Sequence, residues 1–181
     1  MPHTALLIID IQRGAFDGVR CPVIDSPERL LANAGSLLQA ARAGGHGVVF
    51  VQHGDEPGAP LEEGTVHWQL HESLVPAPGE LLVSKHASSS FEGTELHTQL
   101  QARGITELVL CGLQSEFCVS NTTRSALQLG YTVRVARDGH NTWPSEGRSA
   151  AEIEAEANTR LAQAGALLET TEGLGAALRR G

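Results

Sequence analysis

The chain has 181 residues, 41% of them apolar, and a formal net charge of −8. That length accommodates one domain, residues 1–181, with a hydrophobic core, and the composition excludes a disordered chain. The acidic balance argues against nucleic acid as a partner, because a phosphate backbone calls for a basic patch and the Arg179-Arg180 doublet is only a chain end. Three cysteines, Cys21, Cys111 and Cys118, form neither a CxxC pair nor an even disulfide framework. Met1-Pro2-His3-Thr4 runs straight into a strand-like segment without a leader pattern. No window reaches the length of a membrane span, so the expected setting is cytoplasmic, with no membrane partner.

Ala5 to Ile9 is a continuous apolar run, suited to a central parallel strand covered on both faces. It ends in Asp10, an acid that is costly at the end of a buried strand unless it caps a loop, pairs with a cation or does chemistry. A loop over Phe16 to Val23 carries Cys21, which the pattern does not place. Ser26 as N-cap and Pro27 at the first position start a helix, with Leu30, Leu31, Ala34, Leu37, Leu38 and Ala41 at helical spacing and Gly44-Gly45 as its stop. Val48 to Val51 is the second strand, followed by Gln52-His53-Gly54-Asp55. Residues 54 to 80, rich in proline and glycine and holding His67, Trp68 and His71, read as a long excursion above the sheet.

Leu81-Leu82-Val83 is the third strand, leading to Ser84-Lys85. A helix spans about Thr94 to Arg103. Glu107 to Gly112 is the fourth strand, and after a short polar turn a helix runs from Val119 to Leu129. Cys118 falls in the first turn of that helix, where free N–H groups and the macrodipole favour a thiolate. Tyr131 to Ala136 is the fifth strand, residues 146 to 164 a helix, Ala166 to Leu168 a sixth strand and Thr171 to Leu178 a last helix. This alternation predicts an α/β fold, a three-layer Rossmann-like sandwich with a mostly parallel six-stranded sheet. Ligands in such folds bind beyond the carboxyl ends of the strands. Asp10, Lys85 and Cys118 should therefore share one edge of the sheet.

Together these residues suit nucleophilic catalysis. Asp10 is a candidate base for the Cys118 thiol, and Lys85 a cation that favours the charged forms of both acids. Backbone N–H groups of the Gly112–Gln114 turn and of Cys118 are candidate oxyanion donors. Cys111 is expected in the core. His86 should point away from Lys85 by strand alternation, and His140 offers a rival Cys–His dyad. Gln12, Phe16, Trp68, Phe91, Phe117 and Trp143 are candidate pocket walls, with core packing as the competing role for the aromatic ones.

The sequence resembles the isochorismatase-like cysteine hydrolases. The likeness rests on Leu7-Ile8-Ile9-Asp10-Ile11-Gln12, Val83-Ser84-Lys85 with Ser90-Phe91-Glu92-Gly93-Thr94, the segment Leu110 to Val119, and Asp138-Gly139-His140-Asn141-Thr142. It implies an Asp10–Lys85–Cys118 triad, a cis peptide between Leu113 and Gln114, and an oxyanion hole at the N–H groups of Gln114 and Cys118. It further implies a cofactor-free hydrolase of a small-molecule amide acting through a thioester on Cys118, and a homodimer or homotetramer. Two alternatives stand beside this. One is a metal-dependent nicotinamidase, for which His53, Asp55, His67 and His71 are the ligand candidates in an order that departs from the family pattern. The other is a catalytically idle binding or assembly protein of the same fold.

Overall fold

The computed structural model describes residues 3–180; Met1, Pro2 and Gly181, and with them the start of the expected leaderless N-terminus, lie outside the described residues. The strands are β1 (Thr4–Ile9), β2 (Gly47–His53), β3 (Leu81–Lys85), β4 (Glu107–Leu113), β5 (Thr132–Asn141) and β6 (Leu167–Glu169). The helices are α1 (Pro27–Ala43), α2 (Leu96–Ala102), α3 (Ser120–Gln128), α4 (Ala150–Gln163) and α5 (Thr171–Arg179). The strands form one sheet in the order β3-β2-β1-β4-β5-β6, and every neighbouring pair is parallel. Among the described residues no helix is long and apolar enough to cross a membrane.

Strand β1 shows why both faces are covered. Leu6 and Ile8 point into one core, packed with Leu30, Ala34, Leu37 and Leu38 of α1 and Leu174 and Leu178 of α5. Ala5, Leu7 and Ile9 point into the other, with Leu96 and Leu100 of α2, Ala126 of α3 and Leu161 of α4. Two-sided burial leaves no polar face on a central strand, hence its unbroken apolar run.

Connections lead outward in both directions from β1 and β4, which lie side by side. Their carboxyl ends therefore part around a crevice, the place where such sheets hold ligands. Gly112 enables this junction. Its φ is +126°, and a Cβ there would lie 2.0 Å from the Ile9 carbonyl oxygen, so only glycine lets the two backbones approach. The β4–β5 register shifts between Leu110 and Gly112. Pairing then resumes at Gly112–His140 and Leu113–Asn141, so β5 runs five residues beyond the apolar segment that announces it.

Several local expectations are corrected. The segment after β4 is not the start of an α-helix. Ser115–Val119 forms a wide turn in which the Val119 N–H donates to the Gln114 carbonyl, and α3 begins only at Ser120. Ser26 precedes Pro27 but does not cap α1: it sits in the left-handed region and its hydroxyl donates to Asp25. Helix α4 starts at Ala150 rather than 146, because Glu146 and Gly147 take positive φ and Ser149 with Glu152 closes a capping box.

Candidate active site

Asp10 follows β1, His53 ends β2, Lys85 ends β3, and Cys118 lies on the turn after β4. Strand register places His53 directly beside Lys85. Lys85, the sequence's only lysine, is fully buried. Its Nζ lies 2.9 Å from Asp10 Oδ2, 3.3 Å from Cys118 Sγ, 3.1 Å from the Ala87 carbonyl oxygen and 3.0 Å from His53 Nδ1. An ammonium has three protons and no lone pair. Four acceptors therefore share three donors, and His53 Nδ1 must accept. The His53 proton is then on Nε2, which donates to Asp55 Oδ1 at 3.1 Å. The Ser88 hydroxyl lies 3.8 Å from Cys118 Sγ.

Asp10 is buried with φ +54°, a left-handed conformation that an aspartate tolerates better than most residues. Its Oδ1 makes no hydrogen bond among the described residues. Burial pushes the Asp10 carboxyl above its ordinary value, with Lys85 pulling the other way. Burial pushes the Cys118 thiol up to about 11, and the Asp10 carboxylate adds to that, against the opposing Lys85 ammonium. This corrects the expectation of a thiolate held by a helix N-terminus. The wide turn aims Cys118 into a desolvated ion pair whose charges largely offset each other, so burial decides, and the resting group is a thiol.

The Leu113–Gln114 peptide is cis. Leu113, Gln114 and Cys118 face a cavity of about 990 Å³, with Asp10, His53 and Asp55 at its polar end. Of the six residues expected as pocket walls, Trp143 lines this cavity and the other five do not. Gln12 is fully buried beneath it, donating to the carbonyls of His53 and Trp68 and accepting from the His53 N–H. Phe16 packs against the core and edge-on to His71. Trp68 contributes its carbonyl, which accepts from Gln12 and Gln52. Phe91 stacks on Tyr131, and Phe117 is 54% exposed on the far side of the turn. The walls come instead from Ala15, Pro22 to Ser26, Pro60, Leu61 and Pro144, with Cys21 among them, its thiol donating to the Gly14 carbonyl.

The remaining candidates have structural partners. Cys111 is fully buried, and desolvation pushes its thiol up to about 12. The His86 side chain turns to the Gly54 carbonyl, away from Lys85. His140 is fully buried 2.7 Å from Ser115 Oγ and 3.0 Å from Asn158 Oδ1. Asn158 Nδ2 donates to the Arg137 carbonyl, so its Oδ1 accepts from His140, and His140 Nδ1 accepts from Ser115. Nδ1 holds the turn to β5 and Nε2 ties β5 to Asn158 of α4, so both ring nitrogens are engaged and His140 forms no dyad with Cys118.

The metal ligands of a nicotinamidase are not assembled. His53 spends one nitrogen on the Lys85 ammonium and the other on Asp55. His67 pairs with Asp17 at 2.5 Å, and His71 bonds Ser73. Among the described residues the one cluster of possible ligand atoms is Asp10, His53 and Cys118, within 4.8 Å of one another. A buried ammonium already stands among them, and a divalent cation beside it would meet like charge. These residues do not fit a metal site.

A family model, the isochorismatase domain, matches residues 4–172. The chain belongs to the isochorismatase family. A streptothricin hydrolase of Streptomyces noursei is 38% identical over 77% of this chain. This chain spans about half the length of that relative, covering 50% of it. A ureidoacrylate amidohydrolase, RutB, of Stutzerimonas stutzeri is 30% identical over 82% of this chain and 74% of that protein. The crystal structure of a putative isochorismatase hydrolase from Oleispira antarctica superposes with a TM-score of 0.90 at 32% identity, covering 96% of both chains.

Signals for the missed residues were partly present. His53, expected only as a metal-ligand candidate, closes a strand at the same sheet edge as Lys85, and the β2–β3 register sets the two side by side. Asp25 and the proline-flanked wall around it carry no periodic signal.

Proposed function

We propose that this protein is a cysteine-dependent hydrolase of amide C–N bonds, with Cys118 as nucleophile, Asp10 as acid and base, and Lys85 as the cation that holds both. One observation carries the reading. A buried Asp–Lys–Cys cluster, with Nζ at 2.9 Å from the carboxylate and 3.3 Å from the thiol, opens on a cavity large enough for a small molecule. The names of the relatives, two of them amide or streptothricin hydrolases, support the reaction class.

The raised thiol and the raised carboxyl fit this scheme. Asp10 takes the proton from Sγ as the sulfur attacks the substrate carbonyl carbon. Lys85 compensates the thiolate as it forms. The carbonyl oxygen gains negative charge and accepts hydrogen bonds from the N–H groups of Gln114 and Cys118. When the tetrahedral centre collapses, the C–N bond breaks and Asp10 returns its proton to the leaving nitrogen. That leaves an acyl thioester on Cys118. Water, deprotonated by Asp10, adds to the thioester carbonyl; the C–S bond breaks, the sulfur regains its proton, and the acid leaves. The net reaction is amide plus water giving acid plus amine. No step requires a metal or other cofactor.

Substituting Cys118→Ala should abolish turnover of any amide the wild type cleaves, with an unchanged circular-dichroism spectrum. Rapid acid quench of the wild type should trap an acyl mass on the Cys118 peptide. A Cys118→Ala protein as active as wild type refutes the mechanism. An inert wild type across a broad amide panel favours a binding protein of the same fold.

A further inference from the structure

The charges facing the cavity have one sign. Asp10, Asp25 and Asp55 line it, and among the described residues no lysine or arginine does. Asp10 is offset by Lys85 at 2.9 Å. Asp55 accepts from His53 Nε2 and from the Leu61 N–H, contacts that hold its position while leaving its charge. Asp25 forms no ion pair among the described residues; its carboxylate accepts only the Ser26 hydroxyl, at 2.7 Å. The nearby arginine of α1, Arg29, is held by both oxygens of Glu154 at 2.8 and 2.9 Å.

Asp25 does not ride on a loose loop. The Asp25 carbonyl accepts from Asn141 Nδ2, the Ile24 N–H donates to the Ala15 carbonyl, and the Pro22 carbonyl accepts from the Trp143 indole at 2.7 Å. Three ties thus fix the backbone that carries this carboxylate in the wall of a largely apolar cavity. A substrate carboxylate entering there would lose water and meet net negative charge with no cation to receive it. A basic nitrogen would find a preplaced partner. The volume, about 990 Å³, is at the upper end for small-molecule sites and exceeds what a minimal amide fills.

We propose that the substrate is a bulky amide carrying a positively charged nitrogen, with Asp25 as the group that receives that nitrogen while the scissile carbonyl lies at Cys118. This rests on the amide-hydrolase reading. The apolar body of the substrate lies on Pro22, Ile24, Leu61 and Trp143, and the cation remains at the rim, where its desolvation is small.

The test reads cavity charge without needing turnover. Cys118 is modified with three methanethiosulfonate reagents that differ in charge: a trimethylammonium, a neutral methyl and a sulfonate. Each rate is followed on the Cys118 peptide by mass spectrometry and divided by the rate with a small neutral thiol. The normalised cation-to-anion ratio should be about tenfold or more in wild type. Asp25→Asn should reduce it at least threefold, the scale of one partly exposed charge pair, and Asp25→Lys should reduce it further. A wild-type ratio near one, or a ratio unmoved by both substitutions, overturns the proposal. The amide-hydrolase reading fails by a different result, turnover that survives Cys118→Ala, so the two are separable. If amide turnover is present, a matched pair of amides bearing an ammonium or a carboxylate should differ in kcat/KM in the same direction.

Discussion

Asp10 and Lys85 show what single residues disclose. Each is a charged group at the end of an apolar strand, where a solvated role is unavailable, and the structure joins them at 2.9 Å. Cys118 discloses less, because its protonation depends on neighbours far away in sequence. The sign of each neighbour gives a direct prediction. Alkylation by iodoacetamide proceeds through the thiolate, so its rate at Cys118 should rise with pH towards about 11, above the ordinary thiol value. Asp10→Asn removes a charge that raises the thiol pKa, so the profile should move to lower pH. Lys85→Met removes the charge that lowers it, so the profile should move higher. In the proposed mechanism, Asp10 must be ionised to take the proton. Its pKa is raised by burial, so the acid limb of kcat/KM should lie above the ordinary carboxylate value of 3.8.

At the scale of elements, the deciding feature is the turn between β4 and α3. It is tied to the end of β5 by Ser115 to His140 and by the Thr142 hydroxyl to Glu116. Ser115 is fully buried, and burial keeps the His140 imidazole below its usual pKa, hence neutral. Ser115→Ala would leave Nδ1 of a buried imidazole without a donor. That should cost about 1–3 kcal/mol of stability, measured by urea denaturation, and should lower kcat through the loosened Cys118 turn. A loss confined to KM, with unchanged stability, would contradict this account. The late part of β5 could not be read from an alternating pattern, because Asp138, Gly139, His140 and Asn141 are polar or small. His140 and Asn141 pair there with Gly112 and Leu113 because β5 bulges, setting residues 136–139 opposite Cys111 alone before the register resumes. The same segment holds α1 in place, since the Asp138 carbonyl accepts from Arg29 and Asn33.

For the whole molecule, the net charge of −8 adds a long-range field to the local carboxylates of the cavity. Such a field steers ligands of opposite charge and is screened by salt over about 8–10 Å at physiological ionic strength. Values of kcat/KM for a cationic amide should therefore fall several-fold between 10 and 500 mM sodium chloride, while those for a neutral analogue change little. A flat salt profile for the cation would remove the role of the global field.

The α/β class, the six strands and the strand-end placement of Asp10 and Lys85 could be read from the chain alone. They follow from local chemistry: apolar runs need two-sided burial, glycines stop helices, and a charge at a strand end has few uses. The five displaced wall residues show the limit of that reading. Gln12 and Phe16 follow the correct strand, but one is consumed by backbone hydrogen bonds and the other by the core. Which loops close the cavity, how the Cys118 turn is wound, and that His53 serves Lys85 were decided by tertiary structure. Each depends on groups distant in sequence competing for the same carbonyls, protons and space at the ends of the parallel strands.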